Sequence, residues 1–378
     1  MISDFGIKLT ISAMQGVTRV TENGARRPLG ILKPDGLGDF VLATGAIRRL
    51  SEGVTPADLT LIVAAATADF ARVQFPGSRV IALPKVHNGG MRDALGNLFA
   101  LRKTLAGLVF DQLICLRHQR NLFEWLAFGA MSATSKVALE DEAAFLTPSQ
   151  RKTLRKPHAN YIPESRTHEP ETCRELSRHA SVCSAVSGHA CSPRDILPKV
   201  EVTPSDRHRG LVVSPFGGHQ IRTYPRNQLA IALRSWSEHS SDEILLCGSP
   251  ADGPRLTELA DFLGNSGCRQ VEVALFDSFQ DFCNRIGSAR CVLTMETSTA
   301  HVATALDIPM VALIGGGHFG WFAPWKSSNR QIWVNRRLEC YGCNWKCPYQ
   351  EPLCITEIPP ESVSSALKSL MALEQRSP

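Results

Sequence analysis

The sequence predicts an α/β chain of two Rossmann-like, doubly wound domains facing a cleft. Three observations support this. Short apolar runs alternate with helix-length amphipathic segments, as parallel strands covered on both faces require. The alternation stops near residue 148 and restarts near residue 210, across a stretch rich in proline. The 378 residues also exceed what one core usually holds.

Taken in order, residues 29–33 read as a short buried strand that turns through Gly36 and Gly38 into a helix over 39–50. Strands are expected at 59–64, 79–83, 111–116 and 136–139, with helices between them. From 148 to 205 the period weakens under Pro157, Pro163, Pro193 and Pro198, with one helix over 171–186; this reads as the end of the first domain and a linker. The second series has strands at 210–214, 243–248, 270–274, 290–294 and 309–315. Its helices fall at 226–239, 253–264, 277–286 and 298–306. An amphipathic helix begins at Pro360, where proline suits a helix start. The expected domains are 28–195, 206–360 and a C-terminal helix in 361–378.

Hydrophobic content of 43% and charged content of 20% are those of a soluble globular protein. A net charge of +5 suits anionic small molecules or an acidic membrane surface, and no basic stripe with interleaved aromatics argues for nucleic acid. No run approaches the ~18 apolar residues of a spanning helix. Residues 1–27 break their apolar stretch with Asp4 and Lys8, unlike a signal peptide. A cytoplasmic protein is expected, with peripheral contact at the inner membrane face open to it. Of twelve cysteines, Cys115, Cys247, Cys283 and Cys291 lie in apolar patterns, and only Cys340, Cys343, Cys347 and Cys354 cluster. That is the distribution of a reducing compartment with one local cysteine site.

Four segments carry chemistry. In Lys33-Pro34-Asp35-Gly36-Leu37-Gly38-Asp39, Asp39 stands at a helix start, where a carboxylate can take the proton of an attacking hydroxyl or simply cap the helix. Gly217 and Gly218 end a strand, and with Arg222 before the next helix they form an anion cradle or an ordinary loop. Glu296, Thr297, Ser298 and His301 follow another strand end. Hydroxyls and amides there suit phosphate or ribose, and Glu296 suits sugar hydroxyls; capping by Thr297 or Ser298 and a core role for His301 are the alternatives. Cys340, Cys343, Cys347 and Cys354 place four thiols in fifteen residues. They suit a structural zinc, with iron or two local disulfides as alternatives. Arg117, His118 and Arg120 follow a strand end, either as an anion-binding cluster or as solvated surface.

In this order the segments resemble glycosyltransferase family 9, the ADP-heptose:heptosyltransferase family. The stretch 29–50 looks like the family's opening strand, Leu-Gly-Asp turn and helix; 214–227 is similar to its Gly-rich turn and Lys-x-Trp-Pro stretch; 291–316 resembles its Asp-Thr-Gly-x-x-His segment. The resemblance implies a GT-B fold and a nucleotide-sugar donor, ADP-linked, held by the C-terminal domain. It further implies inversion at the anomeric carbon with no catalytic metal. Asp39 falls on the family's general base, Gly217 and Gly218 on its phosphate-side turn, Arg222 on its Lys, and Thr297 and His301 on donor positions. Glu296 replaces the usual Asp, Ser298 the usual Gly and Tyr224 the Trp. Some members carry a four-cysteine finger here, with iron in those that modify autotransporter proteins.

The reading that follows is an inverting transferase moving heptose to a lipopolysaccharide-core or other surface glycan. The acceptor, a glycan or lipid-linked sugar, is expected on the N-terminal half. A protein acceptor, a nucleotide-sugar epimerase of the same fold, and a weakly catalytic assembly protein are the alternatives.

Overall fold

A computed structural model describes residues 27–84, 91–105, 107–140, 159–163, 172–203, 208–218, 220–326 and 328–374. The N-terminal tail up to residue 26, and Pro148 and Pro157 of the expected linker, lie outside these residues. The chain divides into two compact units, Met1–Thr167 with Leu176–Leu197, and His168–Glu175 with Pro198–Pro378.

The first unit holds six strands: β1 (Arg27–Lys33), β2 (Leu59–Ala64), β3 (Arg79–Leu83), β4 (Val109–Cys115), β5 (Ser132–Leu139) and β6 (Ala159–Ile162). All neighbours pair in parallel in the order β3-β2-β1-β4-β5-β6. Parallel strands covered on both faces need continuous apolar runs. Accordingly β1 is buried from Leu29 to Lys33 and β2 from Leu59 to Val63. Helix α1 (Leu37–Leu50) follows β1, α2 (Ala68–Gln74) follows β2, α3 (Met91–Leu105) follows β3, and α4 (Leu122–Ala130) follows β4. Asn121 caps α4 in a reciprocal box with Glu124, each side chain bonding the other's backbone N–H. Helix α5 (Arg174–Ser187) follows β6.

The second unit repeats the plan with β7 (His208–Ser214), β8 (Ile244–Gly248), β9 (Val271–Leu275), β10 (Ala289–Met295), β11 (Met310–Leu313) and β12 (Gln331–Val334). They are parallel in the order β12-β11-β10-β7-β8-β9. Helices α6 (Arg226–His239), α7 (Gly253–Asn265), α8 (Phe279–Gly287) and α9 (Ser298–Ala305) link the strands, and α10 (Leu353–Thr356) and α11 (Pro360–Glu374) follow β12. The buried face of α11 (Val363, Leu367, Leu370) joins one core with Leu233 and Trp236 of α6 and Leu211 and Leu293 of the sheet.

In each sheet the chain builds outward from a central strand, then reverses. The switch falls between β1 and β4 in one unit and between β7 and β10 in the other. Open parallel sheets bind ligands beyond the carboxyl ends of strands at this point. Two edge strands depart from the expectation: β6 lies inside the expected linker, and β12 falls where no strand is expected. Both are four residues long, too short for a period to show.

Candidate functional site

At the switch point of the first unit, β1 ends on Lys33 and β4 runs on to Arg117. Lys33 and Asp35 are almost wholly buried and paired, Nζ to Oδ2 at 3.1 Å. The Arg117 guanidinium pairs with the other Asp35 oxygen and, through Nε, with Glu124 Oε2 at 3.4 Å. Burial holds the Glu124 carboxyl above its usual range, against the opposing pull of Arg117. Thr67 Oγ1 donates to the Asp35 carbonyl at 3.1 Å, tying the loop to the end of β2. Two cations and two carboxylates thus brace the loop leading to Asp39.

Asp39 itself is half-buried in the first turn of α1. The N-cap position belongs to Gly36, with no side-chain cap bond of its own, so Asp39 lies in the first turn rather than at the cap. The expected cationic cluster also differs. Arg120 is buried, donating to the Arg117 carbonyl at 2.9 Å and the Leu139 carbonyl at 2.8 Å, with its guanidinium over the Trp125 ring at 4.3 Å. With Arg117 committed to Asp35 and Glu124 and His118 8% exposed, these residues form neither a solvated surface nor an anion patch. Beside them opens a cavity of about 360 Å³ lined by Pro34, Ala64–Ala66, Leu83, Leu101 and Phe123, with Asn97, Asn121 and Glu124 as its polar groups.

In the second unit, the ends of β7 and β10 are stitched by hydroxyls. Thr294 Oγ1 donates to the Ser214 carbonyl at 3.3 Å, and Thr299 Oγ1 to Ser214 Oγ at 3.1 Å. Thr297 caps α9, accepting from the Thr299 N–H at 3.3 Å, and Ser298 opens the helix. His301 is buried, and its Nδ1 accepts from the Trp325 indole N–H at 3.1 Å. The neutral ring therefore keeps its proton on Nε2. Burial pulls its pKa down to about 4. Both structural alternatives weighed for Thr297 and His301 are realised, and a ligand role stays compatible with each.

Gly217 is half-buried and Gly218 exposed; a Cβ on Gly218 would meet nothing within 4 Å, so that glycine leaves open space. Arg222 ends the short turn Gln220–Arg222 and is brought to Glu296, 3.7 Å away, and to His318 Nδ1 at 3.4 Å. Glu296 is thus a counter-ion as well as a candidate sugar contact. Tyr224 is buried and donates to the Ile358 carbonyl at 2.6 Å, which makes it an anchor for the start of α11.

All twelve cysteines are free. Around Cys354 burial raises the pKa, and Cys340, Cys343 and Cys347 each push it further, so the four thiols share one locality. They do not form the expected ligand set: among the described residues no group of three or more His, Cys, Asp or Glu side chains is placed to hold a metal. Cys347 donates instead to the Glu351 carbonyl at 3.4 Å, and Cys354 belongs to the apolar core. Sequence reasoning missed His318, Asn344 and Trp345, which surround Arg222. Their only signals were the run Gly315-Gly316-Gly317-His318 after a strand and the Asn-Trp pair between two cysteines.

No helix among the described residues is long and apolar enough to cross a membrane. Residues 206–349 match the family model described as glycosyltransferase family 9 (heptosyltransferase). Lipooligosaccharide heptosyltransferase 2 of Campylobacter jejuni is 26% identical over 132 residues, 34% of this chain. The match spans 42% of that relative, less than half of its length. Two solved Escherichia coli proteins share the fold along nearly the whole chain. ADP-heptose lipopolysaccharide heptosyltransferase II aligns with a TM-score of 0.63 at 15% identity, covering 92% of this chain and 99% of its own. Heptosyltransferase WaaC, solved with ADP-2-deoxy-2-fluoro heptose, aligns at 0.62 and 15% over the same shares. Two parallel six-stranded units thus give the chain the GT-B fold, and residues 206–349, within the second unit, carry the match to glycosyltransferase family 9 (heptosyltransferase).

Proposed function

We propose that this chain is an inverting glycosyltransferase that moves a sugar, heptose by its relatives, from an ADP-linked donor to a hydroxyl of a lipopolysaccharide-core or other surface glycan. The family match over residues 206–349 carries this reading, because that stretch contains Gly217, Gly218, Arg222, Glu296, Thr297, Ser298 and His301. WaaC, of the same fold, takes an ADP-heptose analogue.

In this reading the acceptor oxygen bonds to the anomeric carbon as the carbon–oxygen bond to the diphosphate breaks. The electron pair leaves with the nucleoside diphosphate, and the acceptor proton passes to the Asp39 carboxylate. Arg222 and the amides opening α9 offset the charge growing on the leaving group, so the scheme calls on no catalytic metal. The cavity in the first unit suits the acceptor: apolar walls for the C–H face of a sugar, and Asn97, Asn121 and Glu124 for hydroxyls. Glu124 repels an anionic group, which favours a neutral ring at this subsite. The chemistry is that of a cytoplasmic enzyme using soluble nucleotide sugars.

A thermal-shift panel with ADP, UDP, GDP, CMP and ADP-heptose tests the donor. A ligand at 100 times its Kd raises stability by about 2.7 kcal/mol. ADP and ADP-heptose are expected to lead. Preference for UDP or GDP replaces the sugar assignment, and silence from all five defeats the transferase reading. Turnover of ADP-heptose into an isomer without acceptor points to epimerisation instead.

A further inference from the structure

The segment that carries the first three clustered cysteines does more than follow the sheet. It lies back over the turn that ends β11: the Gly342 N–H donates to the Gly316 carbonyl at 2.8 Å and the Asn344 N–H to the Gly317 carbonyl at 3.1 Å. The contact is close enough to demand glycine. A Cβ on Gly316 would lie 2.2 Å from the Tyr341 ring, and one on Gly317 2.5 Å from the Trp345 ring.

Between Cys343 and Cys347, Asn344 and Trp345 adopt φ of 51° and 58°. Consecutive non-glycine residues hold this left-handed backbone only where surrounding contacts impose it, and such strain gathers at functional sites. Here it delivers both side chains to the Arg222 locality. Asn344 Oδ1 meets His318 Nε2 at 2.6 Å. The Trp345 ring lies under the Arg222 guanidinium at 4.9 Å and edge-on to His318 at 5.9 Å. His318 is stacked on Trp321 on another side, with ring centroids 5.3 Å apart. Burial lowers its pKa, as does the Arg222 charge, while the Asn344 bond opposes them. A neutral His318 then leaves Arg222 as the local cation.

Among the described residues, two donors in this assembly have no hydrogen-bond partner: the buried atoms Arg222 Nε and Trp345 Nε1. Buried N–H groups are nearly always satisfied, so an unfilled pair on touching side chains points to a missing acceptor group. The touching cation makes that group an anion with more than one oxygen.

We infer that Trp345 is a donor-binding residue, supplied by the cysteine loop, whose indole N–H binds a phosphoryl oxygen of the nucleoside diphosphate beside Arg222. This rests on the transferase reading, in which the diphosphate lies at the β7–β10 end of the second unit. Asn344 and His318 set the indole's position, and Gly315 and Gly317, whose added Cβ atoms would lie 2.7 and 2.5 Å from it, give it room.

Calorimetric titration of ADP, UDP, GDP and adenosine into wild type and Trp345→Phe tests this. Phenylalanine keeps a ring on Gly317 and removes the N–H. For the diphosphate that wild type binds best, affinity is expected to fall about tenfold or more, the loss typical of one hydrogen bond to a charged group. Adenosine affinity should stay within about twofold of wild type, since that ligand has no phosphate for the lost bond. Unchanged diphosphate affinity overturns the inference. So does a parallel loss for adenosine, which would mark Trp345 as structural only. Should the phenylalanine variant misfold, benzothienylalanine at 345 keeps the indole shape and replaces N–H with sulfur, and the same two outcomes apply. Failure of wild type to bind any of the diphosphates removes the donor reading itself, a result distinct from loss in the variant alone.

Discussion

Asp35→Asn would test the charge network that braces the loop before Asp39. The Asp35 side chain is 3% exposed, and that of Lys33 1%. At an effective dielectric of about 20, unit charges 3.1 Å apart attract by about 5 kcal/mol. Desolvation offsets much of that in the intact pair, but removing one partner leaves the other charge buried, which costs about 3–5 kcal/mol. Arg117, with its side chain 30% exposed, can turn to water and to Glu124, so the lower end, about 3 kcal/mol, is expected. Amide hydrogen exchange read by mass spectrometry resolves the two units. Protection of β1 and β4 should drop about 100-fold, at about 1.4 kcal/mol per factor of ten. Peptides from β7 and β10, and the stabilisation by ADP, should not move. Replacing both charges, Lys33→Met with Asp35→Asn, should recover more than half of the loss, because an apolar substitute leaves no stranded ion. A single-variant change under about fivefold, or a double variant worse than the single, refutes the argument.

Two further outcomes follow from the same structure. Asp39→Ala should lower turnover at least about 100-fold while leaving ADP affinity unchanged, measured by ADP release and calorimetry; equal turnover removes the general-base assignment. His301 has a folded pKa of about 4 against about 6.5 when unfolded. Between those values the unfolded state binds more protons, so stability is full above about pH 6.5 and falls by about 3 kcal/mol on the way to pH 4. Urea titrations should show that slope in wild type and not in His301→Gln; equal slopes would place the titrating group elsewhere.

Most of the fold was legible because hydrophobic burial writes a period into the chain. Strands β2 and β3 fall at the predicted bounds, and so do helices α6 and α11. The first strand begins two residues early, at Arg27, since half-buried residues at a strand's start carry no apolar signal. Site chemistry was legible only as residue types at strand ends. Arg117 and Arg120 are charged in sequence and buried in fact, because their partners Asp35, Glu124 and the Leu139 carbonyl are remote in sequence or hidden in the backbone. The cluster around Arg222 was invisible for the same reason: Trp345 comes from a loop over a hundred residues on, and its approach depends on glycines that look like an ordinary turn.

The two switch points share a topology and differ in charge, and that difference argues for how substrates divide between them. In the first unit Lys33, Asp35, Arg117 and Glu124 pair off internally, two cations against two carboxylates, beside an apolar cavity. Among the described residues such a site leaves no spare cation for a phosphate, and it presents Glu124 to whatever enters. In the second unit Arg222 pairs with the Glu296 carboxylate at 3.7 Å and meets the His318 ring at 3.4 Å, lies against an aromatic face, and retains a buried N–H unsatisfied among the described residues, next to another on Trp345. Anionic diphosphate is favoured there, and a neutral hydroxyl-bearing ring in the first. The proposed division of labour would then rest on charge as well as on family resemblance. If the assignment were reversed, neutralising Arg222 by Arg222→Met would spare ADP binding, and Glu124→Gln, by removing a repelling charge, would tighten it.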